Sequence, residues 1–140
     1  MKNMKQETYE IIQNEILSNC NIENETISGA LLGQNRFHKV TFVNCEFFGS
    51  KIENCEFSGC NFLDCKFQFS NIYESNFSSC RFQDTLWIST NVSFSSFKYC
   101  NLDAKSIYFI EQGENILQNC FNSEIYHLNF LQEEIFPTAA

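Results

Sequence analysis

From Ile22 to Ile107 every fifth residue is apolar, eighteen times without a break. The series runs through Ile22, Ile27, Leu32, Phe37, Phe42 and Phe47 and closes on Trp87, Val92, Phe97, Leu102 and Ile107. All eight cysteines (Cys20, Cys45, Cys55, Cys60, Cys65, Cys80, Cys100 and Cys120) fall on multiples of five. Helices repeat apolar residues about every 3.6 positions and strands about every 2. A period of five fits neither, so the chain must turn within each repeat. Two positions before each large apolar residue there is usually a small one, such as Ala30, Cys45, Ser50, Cys60, Thr85 or Ser95. Residues two apart in an extended segment share a face. Both therefore point inward, the residue between them points out, and the next two make a corner. Gly29, Gly49 and Gly59 fall at that corner, where a positive φ is needed.

A repeated side and corner builds a solenoid. A second period, of twenty residues, sets the number of sides. Leu32, Ile52, Ile72 and Val92 form an aliphatic column, and Phe37, Phe57, Phe77 and Phe97 a phenylalanine column. Phe42, Phe62, Phe82 and Leu102 follow, then Phe47, Phe67, Trp87 and Ile107. Four sides per coil put like on like, with coils at strand spacing, about 4.8 Å. Rings in one column can then pack on one another, each pair adding about 0.5–1.5 kcal/mol beyond burial. The expected fold is all-β, a quadrilateral parallel β-helix of about four and a half coils and about 22 Å in length.

The segments Cys55-Glu56-Phe57-Ser58-Gly59, Cys60-Asn61-Phe62-Leu63-Asp64 and Cys65-Lys66-Phe67-Gln68-Phe69 resemble the unit of the pentapeptide-repeat family: a small residue, Asp or Asn, Leu or Phe, then two variable residues. The resemblance covers about ninety residues. It implies a right-handed quadrilateral β-helix. The wording of Phe42-Val43-Asn44-Cys45-Glu46-Phe47 is similar to the quinolone-resistance (Qnr) branch of the family. Several bacterial members bind DNA gyrase or topoisomerase IV in place of DNA, and pairing through the C-terminus is common among them. Two departures set this chain apart: no loop interrupts the repeats, and the run is short.

Both ends of an open solenoid need covering. Residues 1–19 are expected to form a helical cap, with Tyr9, Ile12 and Ile16 on one face. Ile12 and Leu17 keep the five-residue period, but their inward small positions are Glu10 and Glu15, and burying unpaired carboxylates is costly. Glu25 and Asn35 also fall at inward places, which predicts an irregular first coil. The β-helix is thus assigned to residues 20–109. The period fails at Gln112, and Ile110 to Glu114 reads as a loop. Residues 110–140 are assigned to a C-terminal cap or dimerisation segment, with Ser123 capping a short helix of Ile125, Leu128, Leu131 and Ile135. A competing reading resumes a shifted repeat at Ile116 and Phe121. The segment from Asn115 to Phe136 is the expected homodimer contact.

The residues offer little chemistry. His38 faces water and His127 lies far from it, with no nucleophile and orienting partner. The glycines form no phosphate loop, and regular sides offer no deep pocket. The expectation is a protein without catalytic activity or cofactor. The cysteines read as small buried residues in a reducing compartment. Stacked pairs such as Cys60 over Cys80 are close enough for a disulfide, but no CxxC motif suggests zinc. No membrane span or secretory signal is found, so a cytoplasmic protein is expected.

What remains is surface. The net charge is −8, of which −5 lies beyond Phe109 and only −2 between Ile22 and Phe109. One corner column reads Asn24, Asn44, Asp64, Asp84 and Ala104, with Glu23 and Asp103 beside it. Stacked like charges are unfavourable, and carboxylates in a row can stand in for phosphates. Glu23, Asp64, Asp84 and Asp103 are therefore candidate partner-binding residues for a DNA mimic. A topoisomerase partner, DNA gyrase or topoisomerase IV, comes from the family resemblance, with no direct contact to nucleic acid. The alternative is a structural scaffold that holds an unrelated protein through outward aromatics. Phe48, Phe69, Tyr73, Phe94, Tyr99, Tyr108 and Phe109 fall at outward positions, with Phe69 and Phe109 in one column.

Overall fold

The computed structural model describes residues 10–123. The chain coils into a four-sided rod of short parallel strands, each paired with the strand one coil away. The first side stacks five strands: Glu10–Gln13, Ala30–Gly33, Lys51–Glu53, Asn71–Tyr73 and Asn91–Ser93. The second side includes Glu56–Ser58, Asn76–Ser78, Ser96–Lys98 and Ile116–Gln118, and the third Asn61–Leu63, Arg81–Gln83 and Asn101–Leu102. Two longer strands, Ile16–Glu23 and Arg36–Val43, run along both of these sides. The fourth side stacks Thr26–Ser28, Glu46–Phe48, Lys66–Gln68 and Leu86–Ile88. Registers step by twenty residues: Phe77 pairs with Phe57 and Phe97, and Ile72 with Ile52 and Val92.

The expected columns form the core. Phe57, Phe77 and Phe97 stack at 4.6 Å between ring centroids, tilted by 2° or less. Phe62 lies 4.6 Å from Phe82, and Phe67 4.6 Å from Trp87. Neighbouring columns meet edge to face, as Phe57 does with Phe62 at 5.7 Å and 61°. The core rings are thus stacked along the rod and tilted or edge-on across it, arrangements favourable for aromatic quadrupoles.

The small inward residues have a second task. Ser70 donates from Oγ to the Phe47 carbonyl at 3.0 Å and accepts the Ser50 N–H at 3.1 Å. Cysteines donate in the same way, Cys60 to the Phe37 carbonyl at 3.3 Å and Cys120 to that of Phe97 at 3.1 Å. The inward place needs a side chain small enough for the corner and polar enough to serve backbone groups left over by the side-to-side pairing.

Each corner turns on one residue with positive φ. Gly29, Gly49 and Gly59 hold φ of 63°, 61° and 64°, as their corner positions require. Asn24, Asn44, Asp64 and Asp84 hold 58°, 53°, 54° and 55°. Asn and Asp tolerate this left-handed backbone best after Gly, whereas other residues lose about 1–2 kcal/mol there.

Several sequence expectations change. The helix expected over residues 1–19 is absent from 10–19, which form strands instead; residues 1–9 lie outside the described chain. Asn14 and Asn19 supply left-handed corners, with φ of 58° and 53°. Glu15 is exposed in this coil, which removes the cost of burying it. The first coils are also regular. Asn35, 1% exposed, does what serine does elsewhere: Nδ2 donates to the Ile12 carbonyl at 3.0 Å and Oδ1 accepts the Glu15 N–H at 2.9 Å.

At the other end the period is interrupted rather than ended. Helix α1, Ala104–Glu111, replaces the fourth side of the last coil. Phe109, rather than Ile107, continues the aromatic column, stacking 4.9 Å from Trp87. The chain then rejoins the rod in its original phase. Leu117 pairs opposite Phe97 and is 5% exposed, and Cys120 is 4% exposed. The shifted repeat is excluded, because Ile116 and Phe121 are 59% and 42% exposed. Asn115 joins the end of the helix to the resumed coil, donating to the carbonyls of Val92 and Ile110, both at 2.9 Å, and accepting the Ser95 N–H at 3.0 Å. A Cβ on Gly113 would overlap the Val92 carbonyl oxygen, so only glycine fits this return. Strands thus extend beyond both limits set for the repeat, while the helix placed after Ser123 lies outside the described residues.

Thr85 breaks the inward ladder. Its hydroxyl is buried and has no hydrogen-bond partner among the described residues, and its N–H goes instead to the Asp103 carboxylate at 3.0 Å. Thr85→Val removes this unsatisfied group and is expected to raise stability in urea unfolding by about 1 kcal/mol. Phe62→Ala, which removes the middle ring of the Phe42–Phe62–Phe82 stack, is expected to cost about 3–5 kcal/mol. Phe69→Asn, at a left-handed corner, is expected to leave stability unchanged or raise it by about 1 kcal/mol in the same assay.

Candidate protein-binding edges

The corner between the third and fourth sides carries Asn24, Asn44, Asp64 and Asp84, all exposed. Asn44 Nδ2 donates to Asn24 Oδ1 at 2.8 Å, so the lower half of the column is an amide ladder. Asp64 and Asp84 continue it as carboxylates. Among the described residues the ion pairs are Arg36–Glu56 at 3.5 Å and Lys66–Glu46 at 3.8 Å, and neither involves this column. Glu23 is exposed at the end of its strand, next to Asn24. These three carboxylates lie along one edge.

Asp103 does not join them on the surface. It is 7% exposed and caps α1: Oδ1 accepts the Ser106 N–H at 2.8 Å while Oδ2 accepts that of Thr85. Side-chain acceptance of early helix N–H groups is what an N-cap supplies. The position reads as outward only if the repeat continues, and the helix turns it inward. Asp84 does border an open cavity of about 420 Å³ lined also by Leu86, Ala104 and Lys105.

The two aromatic candidates also separate. Phe69 is 54% exposed at a corner with φ of 53°, and its ring meets Phe48 edge-on at 5.5 Å and 90°. Phe109 is partly buried on Trp87, whose Nε1 donates to Ser106 Oγ at 2.8 Å. They do not form one surface.

Two further corner aromatics stand out in the structure. Phe94 and Tyr99 hold φ of 50° and 56° and are 54% and 59% exposed. The signal was available in the sequence as a bulky residue at the corner phase, which otherwise favours Gly, Asn, Asp or Ser.

The thiols are interior groups. Burial pushes Cys55 above the usual thiol range. Cys65, Cys80 and Cys120 are pushed up by the neighbouring thiol of their column and then by burial. Cys45, Cys60 and Cys100 move the other way, lowered by the same thiol–thiol hydrogen bonds, and burial is what keeps all seven of these thiols from an outside electrophile. Among the described residues, no cluster of three or more His, Cys, Asp or Glu is placed to hold a metal ion. No helix among them is long and apolar enough to cross a membrane.

Comparison with known proteins gives three findings. Residues 45–84 match the family model for pentapeptide repeats in eight copies. No match was found among curated proteins. Solved structures similar to this chain include QnrB1, a plasmid-mediated fluoroquinolone resistance protein. Its trypsin-treated form is 16% identical, with 90% of this chain and 89% of that one covered and a TM-score of 0.33. The full-length form is 13% identical, with 89% of each chain covered and a TM-score of 0.30. The eight matched copies fill two coils of the rod, and residues 45–84 are built of pentapeptide repeats.

Proposed function

We propose that this protein is a non-catalytic binding rod, a DNA mimic that occupies the basic DNA-binding surface of a type II topoisomerase, DNA gyrase or topoisomerase IV. The observation that carries the reading is the exposed pair Asp64 and Asp84, one coil apart on one corner, with no ion pair among the described residues to neutralise either. A coil rise of about 4.8 Å places these carboxylates close enough to act together on one cationic surface. Glu23 extends the edge, and Asp103 adds its charge from beneath. The partner is engaged without contact to nucleic acid.

A specific observation favours a second reading, a scaffold for an unrelated protein. Phe69 is more than half exposed at a corner where asparagine would be less strained. Ile116 and Phe121 expose further apolar surface near the C-terminal end, which supports self-association through the segment from Asn115 to Phe136. The eight free cysteines suit a reducing, cytoplasmic setting.

The test is gyrase supercoiling with purified protein titrated in, with and without a fluoroquinolone. The wild type is expected to inhibit supercoiling or relieve drug inhibition at micromolar concentration. Asp64→Lys with Asp84→Lys is expected to abolish the effect while keeping the circular dichroism of the rod. An unchanged effect removes this edge as the site. No effect from the wild type favours the scaffold reading, for which Phe69→Ser should release a captured partner. Sedimentation at micromolar concentration is expected to give a dimer, and a monomer excludes the C-terminal pairing.

A further inference from the structure

The corner between the first and second sides has a different character. Its column reads Asn54, Glu74 and Phe94, with Glu114 above. The Phe94 N–H donates to the Glu114 carbonyl at 2.7 Å, and the Glu74 N–H to that of Ser93 at 3.2 Å, which fixes the three in successive coils. Beside them Tyr73 pairs in register with Glu53 one coil below. The rings of Tyr73 and Phe94 meet edge to face at 5.5 Å and 80°, and both remain well exposed, at 40% and 54%.

The fold does not ask for this arrangement. Asn14, Gln34 and Asn54 turn the same corner in lower coils with φ of 58°, 56° and 54°. Phenylalanine at φ 50° is sterically disfavoured, and much of its ring lies in water. An exposed outlier of this kind points to a contact outside the chain.

Charge identifies the occupant. Glu53, Glu74 and Glu114 surround the aromatic pair, and none has an ion-pair partner among the described residues. The cations on the adjoining strands are Lys51, on the same strand as Glu53, and Lys98, at the far end of the strand that follows Phe94, and neither forms an ion pair among the described residues. The similar pair Phe48–Phe69 lies on the fourth side, where the nearby Glu46 is already neutralised by Lys66 at 3.8 Å. Among the described residues, the Tyr73–Phe94 ridge is an exposed ring pair whose flanking carboxylates have no ion-pair partner. We propose that this ridge docks a cationic segment of a protein partner, with lysine or arginine side chains against the rings and their charges between Glu53, Glu74 and Glu114. Aromatic rings attract such cations, and the carboxylates steer their approach. The site is separate from the Asp64–Asp84 edge and does not require the partner to be a topoisomerase.

The experiment titrates the isotope-labelled full chain with an amidated hexa-arginine peptide and follows backbone amide shifts. Shifts are expected to concentrate at Glu53, Tyr73, Glu74, Phe94 and Glu114. Phe94→Asn leaves the net charge unchanged and installs a residue that suits the corner. It is expected to weaken binding about five- to tenfold while the melting temperature holds or rises. Asp64→Asn with Asp84→Asn should leave peptide affinity unchanged, which keeps this result independent of the supercoiling assay. Wild-type affinity in Phe94→Asn overturns the proposal. So does a loss in the Asp64→Asn, Asp84→Asn variant as large as that in Phe94→Asn, which would mean that the ridge is not a separate site, and so does the absence of binding to the wild type.

Discussion

Successive coils are joined by parallel hydrogen bonds in a register of twenty residues, and the rest of the structure depends on that register. It places each side chain directly over its equivalent. A phenylalanine column becomes a ring stack with centroids 4.6 Å apart, and a serine or cysteine column becomes a ladder serving the coil beneath. A residue that suits one rung therefore suits the next, and the sequence repeats because the environment repeats. The corners obey the same logic, since each must place one residue in the left-handed region.

This explains what could be read from the sequence. The period of five located the inward residues, the period of twenty located the columns, and the glycine phase located the corners, because each reflects a contact repeated many times. Events that occur once were harder. Asn35 and Asn115 look like polar intruders at inward places, yet each satisfies backbone groups through both ends of its amide. Residues 10–19 resemble a helix on one apolar face, but the pairing offered by the strand above them prevails. Tertiary partners override local preference in this way throughout β-structure.

The candidate edges were legible in the same uneven manner. Asp64 and Asp84 sit where corner phase and period place them. Asp103 and Phe109 obey the period on paper, but α1 redirects both, one to cap the helix and the other to finish the aromatic stack. The Tyr73–Phe94 ridge arises from two residues twenty-one apart, a neighbour relation between coils that no scan along one column finds. Surface on a solenoid is two-dimensional, and adjacent columns matter as much as single ones.

Helix α1 has a consequence for how such a rod stops. A β-helix ends in open strand edges, and an open edge recruits further strands. On the fourth side the last strand, Leu86–Ile88, is followed by a helix whose Phe109 lies on Trp87 and whose Ser106 accepts the indole N–H. A helix carries its backbone hydrogen bonds within itself and has no ladder to extend. It therefore terminates that sheet against further strand addition while letting the second side continue to Ile116–Gln118. Among the described residues, strand pairing thus stops on one face of the rod a coil earlier than on another, and the end of the rod is uneven around its perimeter.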